Sequence, residues 1–196
     1  MYRILTVEDK IRVPPNKLQM DVKNAIKESI AEQLEGTLDP RLGVVLAVIE
    51  IEKVGEGKIF AGDPGVHYVT QFKLLTFKPE LNELVYGEVI DNTEFGAFVR
   101  IGPIDGLIHI SQLMDDFVSY DQKNSTFLGK ESKRTLKEKD RVKARIISIS
   151  FGRGEENKIG LTMRQPGLGA IQWLEEERKK AKKGASKSEK EEKAKE

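Results

Sequence analysis

Downstream of Pro79 the chain reads as short strands only, 84–92, 97–101, 106–110, 141–150 and 158–163, with turn residues between, and in the last four the inward apolar side chains recur at every second residue. A period of two puts alternate side chains on opposite faces of a strand, so each segment has an inside and an outside. In "GAFVRI" Ala97, Val99 and Ile101 share one face, while Phe98 and Arg100 share the other. In "GLIHIS" the inward set is Ile108 and Ile110, which leaves Leu107, His109 and Ser111 outside. Val142, Ala144 and Ile146 read inward, with Lys143 and Arg145 outward. Ile159, Leu161 and Met163 read inward, with Lys158, Gly160 and Thr162 outward. Five such strands predict a small closed all-β barrel of the OB type, an architecture that leaves no free sheet edge.

A barrel has one interior, so the outer set meets solvent or a ligand. Phe95, beside the Gly96 turn, can join either set. Flat rings interleaved with cations suit single-stranded nucleic acid, because bases stack on the rings and the cations follow the phosphates. Alternation alone is equally compatible with Phe98 packing under the long polar segment 114–140 or under a C-terminal helix. That segment is expected to be an insertion between barrel strands, carrying a short helix.

Upstream of Pro79 the pattern is mixed. "YRILTVEDKIRV" reads as a strand ended by Pro14-Pro15. Asn16 is placed to cap a helix whose apolar stripe is Leu18, Val22, Ile26, Ile30 and Leu34, ended by Gly36. "VVLAVIEIEKV" reads as a strand that begins buried on both faces and then alternates, "GEG" at 55–57 as a hairpin turn, "GDPG" at 62–65 as a second turn, and 66–77 as a strand. The expected architecture is thus an α+β domain over 1–80, one helix on an antiparallel sheet, then the barrel over 81–165. A helix is expected at 166–183, with Ile171, Trp173 and Leu174 docked, and a disordered charged tail at 184–196.

Composition excludes several chemistries. There is no cysteine, so disulfides and thiolate chemistry are out, and the histidines are only His67 and His109. No metal or cofactor is expected. Adjacent Asp115 and Asp116 diverge on either a strand or a helix, and a helix cap or an ion pair suits them better than general acid–base work. No catalysis is assigned to the chain. No apolar run is long enough for a membrane span or a signal peptide, so a cytoplasmic location is expected. Net charge is only +1. Charge is nonetheless segregated, with eight basic against three acidic side chains over 130–145 and eight acidic against one basic over 80–116. That fits either two different partners or a solvated loop. Two near-matches fail on spacing: "EFGAFV" lacks the basic-Gly start of an RRM strand, and "GEGKIFAGDPG" lacks the ending of a P-loop.

"GEVIDNTEFGAFVRIGPIDGLIHISQL", 87–113, resembles the RNA-binding repeat of the largest small-subunit ribosomal protein, the S-one-type OB domain. The resemblance implies that Phe95, Phe98 and His109 carry the ligand face, with Lys158 as its basic residue; Arg100, Lys143 and Arg145, outward by alternation, are the cations expected beside them. Ser150 stands where such domains often have Asp. The wider pattern covers about residues 1–175: "VPP", "LDPRLGVVLAV", the Gly62-Asp63 turn, "MDDFVSYD" and "LTMRQPGLG". Together these resemble the archaeal RNA polymerase stalk subunits of the E-prime type, counterparts of the eukaryotic seventh subunit. That resemblance implies a truncated RNP-like first domain docking on the polymerase core, with Gly62, Asp63, Pro64 and Gly65 at the docking turn. It further implies a heterodimer with the small helical F-type stalk protein of the polymerase and a hold on the emerging single-stranded RNA transcript. The alternative is a free-standing RNA-binding protein of translation or RNA decay with the same barrel.

Overall fold

The computed structural model describes residues 1–151 and 158–180. The chain divides into two compact units, Met1–Pro79 and the remainder from Glu80. The expected tail at 184–196, the end of the expected helix and most of the "FGRGEEN" loop lie outside the described residues.

In the first unit, β1 (Tyr2–Val13), α1 (Val22–Leu34), β2 (Leu38–Asp39), β3 (Gly43–Ile59) and β4 (Val66–Phe77) form one antiparallel sheet, order β1-β4-β3-β2, with α1 against one face. Pro14 and Pro15 do end β1, but they open a single 3-10 turn, Pro15–Lys17, rather than the helix. The cap of α1 is Asp21, which accepts the Asn24 N–H, and not Asn16. Leu18 therefore stays outside the helix and exposed, and Val22 is exposed at its first turn. Ile26 and Ile30 carry the stripe into the core with Ala25 and Ser29 beside them. Lys17 is buried, its ammonium 2.7 Å from Glu32 on the outer face of α1.

Strand β3 departs most from its sequence reading. Register shifts recur at Val45/Ala47, Val48/Glu50, Ile51/Lys53 and Val54/Gly57. Each adds a residue opposite β4, so the buried face advances in threes and Val45, Val48, Ile51 and Val54 all reach the helix side. "GEG" is no hairpin turn; it lies inside β3 at the last of these bulges. Its glycines allow close approach: a Cβ on Gly57 would stand 2.8 Å from the Tyr68 ring, and one on Gly55 2.9 Å from the Val69 carbonyl oxygen. The chain reverses later, between β3 and β4, at the turn that holds Gly62-Asp63-Pro64-Gly65.

The second unit contains β5 (Leu84–Thr93), β6 (Gly96–Arg100), β7 (Asp105–His109), β8 (Val118–Asp121), β9 (Thr126–Gly129), β10 (Thr135–Leu136), β11 (Arg141–Ser150), β12 (Lys158–Thr162) and β13 (Gly169–Ala170), then α2 at 171–180. The sheet order β12-β7-β6-β5-β11-β13, with an added β11–β12 pairing, closes the expected OB-type barrel; β12 runs parallel to β7. Val85, Val89, Ala97, Val99, Ile108, Val142, Ala144, Ile146, Ile159 and Leu161 fill its interior, each at most 1 % exposed.

Two inward or outward readings fail. Ile110 is only half-buried because the strand gives way to a 3-10 turn, Ile110–Gln112. Thr162 is buried, its hydroxyl bonded to Gln112. The insertion holds no helix among its described residues; it is a small antiparallel sheet, β8-β9-β10. Phe127 and Leu136 are its fully buried anchors. Asp116 folds the loop after β9 by accepting the Ser132 N–H (2.9 Å), the Ser132 hydroxyl (2.8 Å) and the Glu131 N–H. These donors, the Ser132 N–H first, hold its carboxyl below the usual range. Asp115 pairs with Arg164 at 2.8 Å. Trp173 of α2 is buried, and its indole N–H donates to the Thr135 carbonyl of β10 at 3.1 Å.

Candidate nucleic-acid interface

One face of the barrel carries a groove of about 850 Å³ built from β6, β7, β12 and the second half of β11. Phe95 stands at its rim, in the turn between β5 and β6. The Thr93 hydroxyl bonds the Gly96 carbonyl (2.9 Å) and the Ile110 N–H bonds the Phe95 carbonyl (2.9 Å), fixing that turn. Gly96 lies opposite His109, and a Cβ there would come within 2.2 Å of the Ile108 carbonyl oxygen. Phe98 follows on the outer face of β6, beside Leu107 of β7. The Phe95 and Phe98 rings meet edge to face, centroids 5.9 Å apart and planes at 89°. Edge-to-face contact covers a face of one ring with the edge of the other and leaves the remaining faces for packing or stacking. Phe95 is 52 % exposed and Phe98 half-buried.

His109 ends β7, exposed and lining the groove. Its Nδ1 receives the Ser111 backbone N–H at 3.3 Å and lies 2.9 Å from the Ser111 hydroxyl. A backbone N–H can only donate, so Nδ1 is the acceptor and the ring proton of the neutral imidazole sits on Nε2. The ring therefore offers a donor at its free end.

The cations chosen from the sequence separate. Lys158 lines the groove. Arg100 shares the outer face of β6 but is tied to Asp105 by two bonds, Nε to Oδ1 at 3.0 Å and Nη2 to Oδ2 at 3.3 Å. Lys143 and Arg145 do not line the groove. Strand β11 pairs with β5 over 141–145 and with β12 from Arg145 onward, so Lys143 lies opposite the exposed Tyr86 and Arg145 opposite Leu84. The groove instead takes Ile147 and Ser148 from β11. A register shift between Ile146 and Ser148 makes Ile147 an extra residue, and it is exposed on the outside. Gly160 forms part of the floor; a Cβ there would stand 2.3 Å from the Ser148 hydroxyl oxygen. Sequence reasoning missed Ser148 because the bulge that reverses its parity leaves no mark on alternation, and Ile147, outward by parity, was not singled out. It missed Gln112, also in the lining, because that residue follows the strand rather than lying in it.

The Gly62–Gly65 turn in the first unit is organised around Asp63. Its carboxylate accepts from Arg12 (2.7 and 2.8 Å) and from the Gly65 N–H (2.9 Å), and meets His67 Nε2 at 2.9 Å. The Arg12 guanidinium first, then these neighbours, holds that carboxyl well below the usual carboxylate range. Beside it Ile59 is 74 % exposed, and the Lys10 ammonium lies 4.0 Å from the centre of the Phe60 ring.

Comparison with known proteins agrees with this division. Residues 8–64 match the SHS2 domain found in the N terminus of Rpb7p/Rpc25p, and residues 78–158 match the S1 RNA binding domain. DNA-directed RNA polymerase subunit Rpo7 of Saccharolobus shibatae is 34 % identical over 91 % of this chain and 100 % of its own length. Ribonuclease R of Buchnera aphidicola is 35 % identical, but over 43 % of this chain and 11 % of its own. Among solved structures, Mycoplasma genitalium RNase R in complex with ribose methylated single-stranded RNA overlaps at a TM-score of 0.38 and 27 % identity, covering 42 % of this chain and 13 % of that one. The Rpo7 match spans both units, whereas the ribonuclease match leaves out more than half of the chain. The chain belongs to the Rpo7 family of DNA-directed RNA polymerase subunits.

Proposed function

We propose that this chain is a non-catalytic stalk component of a cytoplasmic DNA-directed RNA polymerase, which pairs with the small helical F-type stalk protein, docks on the core and holds the emerging single-stranded transcript on the barrel groove. The full-length match to Rpo7 supports the place in the polymerase. The observation that carries the RNA contact is the groove: Phe95, Phe98 and His109 are drawn together on one open face, with Lys158 in the same lining. Two rings supply stacking surfaces and a lysine supplies a phosphate partner, the combination used for single strands. The Gly62-Asp63-Pro64-Gly65 turn, with Ile59 and Phe60 exposed beside it, is the part of the first unit proposed to meet the core.

Phe98→Ala combined with His109→Ala tests the RNA contact. Losing one stacking ring and the imidazole beside it should weaken single-stranded RNA binding by about 2–5 kcal/mol, read by fluorescence anisotropy, while circular dichroism and the melting curve stay native. Unaltered affinity in a folded double variant takes the barrel out of the RNA path.

A further inference from the structure

The groove contains a polar group that stacking does not use. Gln112 sits in the 3-10 turn after β7, half-buried and lining the groove with His109. Its amide Oε1 lies 2.8 Å from the hydroxyl of Thr162. That hydroxyl is buried and also receives the Arg164 N–H at 3.3 Å. A buried hydroxyl has to place its proton, and Gln112 Oε1 is the acceptor in reach. The oxygen end of the amide is thereby fixed toward Thr162, and the NH₂ end has no partner among the described residues. The Gln112 backbone carbonyl accepts the Met163 N–H at 2.8 Å, which pins the residue to the segment that carries Thr162.

Two N–H donors thus come from one wall of the groove, Gln112 Nε2 and His109 Nε2, each set by a separate hydrogen bond behind it. We propose that Gln112 reads the edge of a base stacked in this groove and, with His109, selects for carbonyl oxygens, so that uracil is preferred to adenine. This rests on the RNA-binding reading above. Uracil presents two carbonyl oxygens on its pairing edge, where adenine presents an amino donor that would face these donors unpaired. Thr162 acts as a positioning residue, through the amide and not through the RNA.

The test uses the full-length chain, with short oligouridine and oligoadenosine as probes and the ratio of their affinities as the readout. Gln112→Glu replaces the donor by an acceptor of nearly the same shape and should lower the uridine-to-adenosine ratio by roughly fivefold or more. Thr162→Val, which removes the hydroxyl but keeps the buried volume, should lower the ratio partway, and Thr162→Ser should keep it at the wild-type value. A global loss of folding would lower both affinities together and leave the ratio in place, so melting curves and the ratio separate structure from selection. The Phe98→Ala/His109→Ala variant serves as the control. If it loses both oligonucleotides while Gln112→Glu keeps the wild-type ratio, Gln112 does not read the base and the groove still binds RNA. If the double variant keeps both affinities, the groove reading and this proposal fall together.

Discussion

The Asp63 turn of the first unit and the groove of the second are both exposed and both carry aromatic and charged side chains, yet their polar groups are used in opposite ways. At the turn, Arg12, the Gly65 N–H and His67 all converge on one carboxylate, and Lys10 covers Phe60. The loop is held by side chains of β1 and β4, and Ile59 and part of Phe60 are exposed beside it. In the groove, internal bonds are made on the far side of each functional group: Ser111 behind His109 and Thr162 behind Gln112. Their donors and the two phenylalanine rings are left free. The first arrangement gives a turn whose carboxylate is fully engaged, the second a set of oriented groups whose donors are left open. Pre-organisation is common to both; the groove adds oriented donors, His109 Nε2 and Gln112 Nε2, that its own bonds leave open.

The contrast can be broken most strongly at Asp63. Asp63→Asn should loosen the turn, seen as faster backbone amide exchange at Gly65 and a lower melting temperature, and leave RNA affinity unchanged. The effect has a pH signature. A carboxyl whose folded-state pKa lies below its unfolded value contributes stability above the unfolded value, near 4, and loses that contribution as pH falls below it. The stability difference between wild type and Asp63→Asn should therefore be full at neutral pH and shrink below about pH 4. A constant difference across that range would mean that the carboxylate charge does not organise the turn.

A smaller effect sharpens the other side of the comparison. Lys158 lines the groove, whereas Arg100 is engaged by Asp105. Lys158→Ala should reduce the salt dependence of RNA binding, the slope of log affinity against log salt, by about 0.7, the share of one phosphate contact on a single strand. Arg100→Ala should leave that slope unchanged. The reverse result would mean that Arg100 exchanges Asp105 for a phosphate when RNA arrives.

How much of this could be read in the sequence differs by element. Alternation assigned Ala97, Val99, Ile108, Val142, Ala144 and Ile146 to the barrel interior, because in strands without extra residues parity decides the face. It failed wherever a residue was added: along β3, where repeated bulges turn a period of two into a period of three, and beyond Ile147, where Ser148 is exposed although parity would turn it inward. It also failed for the insertion, where β8, β9 and β10 are too short to show a period and their polar loops hide Phe127 and Leu136. Phe98, His109 and Lys158 were legible as outward-facing candidates from alternation, whereas Phe95, at the turn where parity is lost, was named by the resemblance alone. Gln112 was not legible, since its orientation depends on Thr162, 50 residues later in the chain. Lys143 and Arg145 were chosen for facing outward, but facing outward does not say which side of the barrel a strand half belongs to.

Cross-linking tests the division of labour most directly. Transcripts carrying 4-thiouridine, extended by the assembled polymerase, irradiated and mapped by mass spectrometry, report which residues touch RNA. RNA held in the groove places cross-links on the Phe95–Gln112 segment and leaves the turn at 60–65 unmarked. Cross-links at the turn, with none on the barrel face, would contradict the assignment of RNA to the groove.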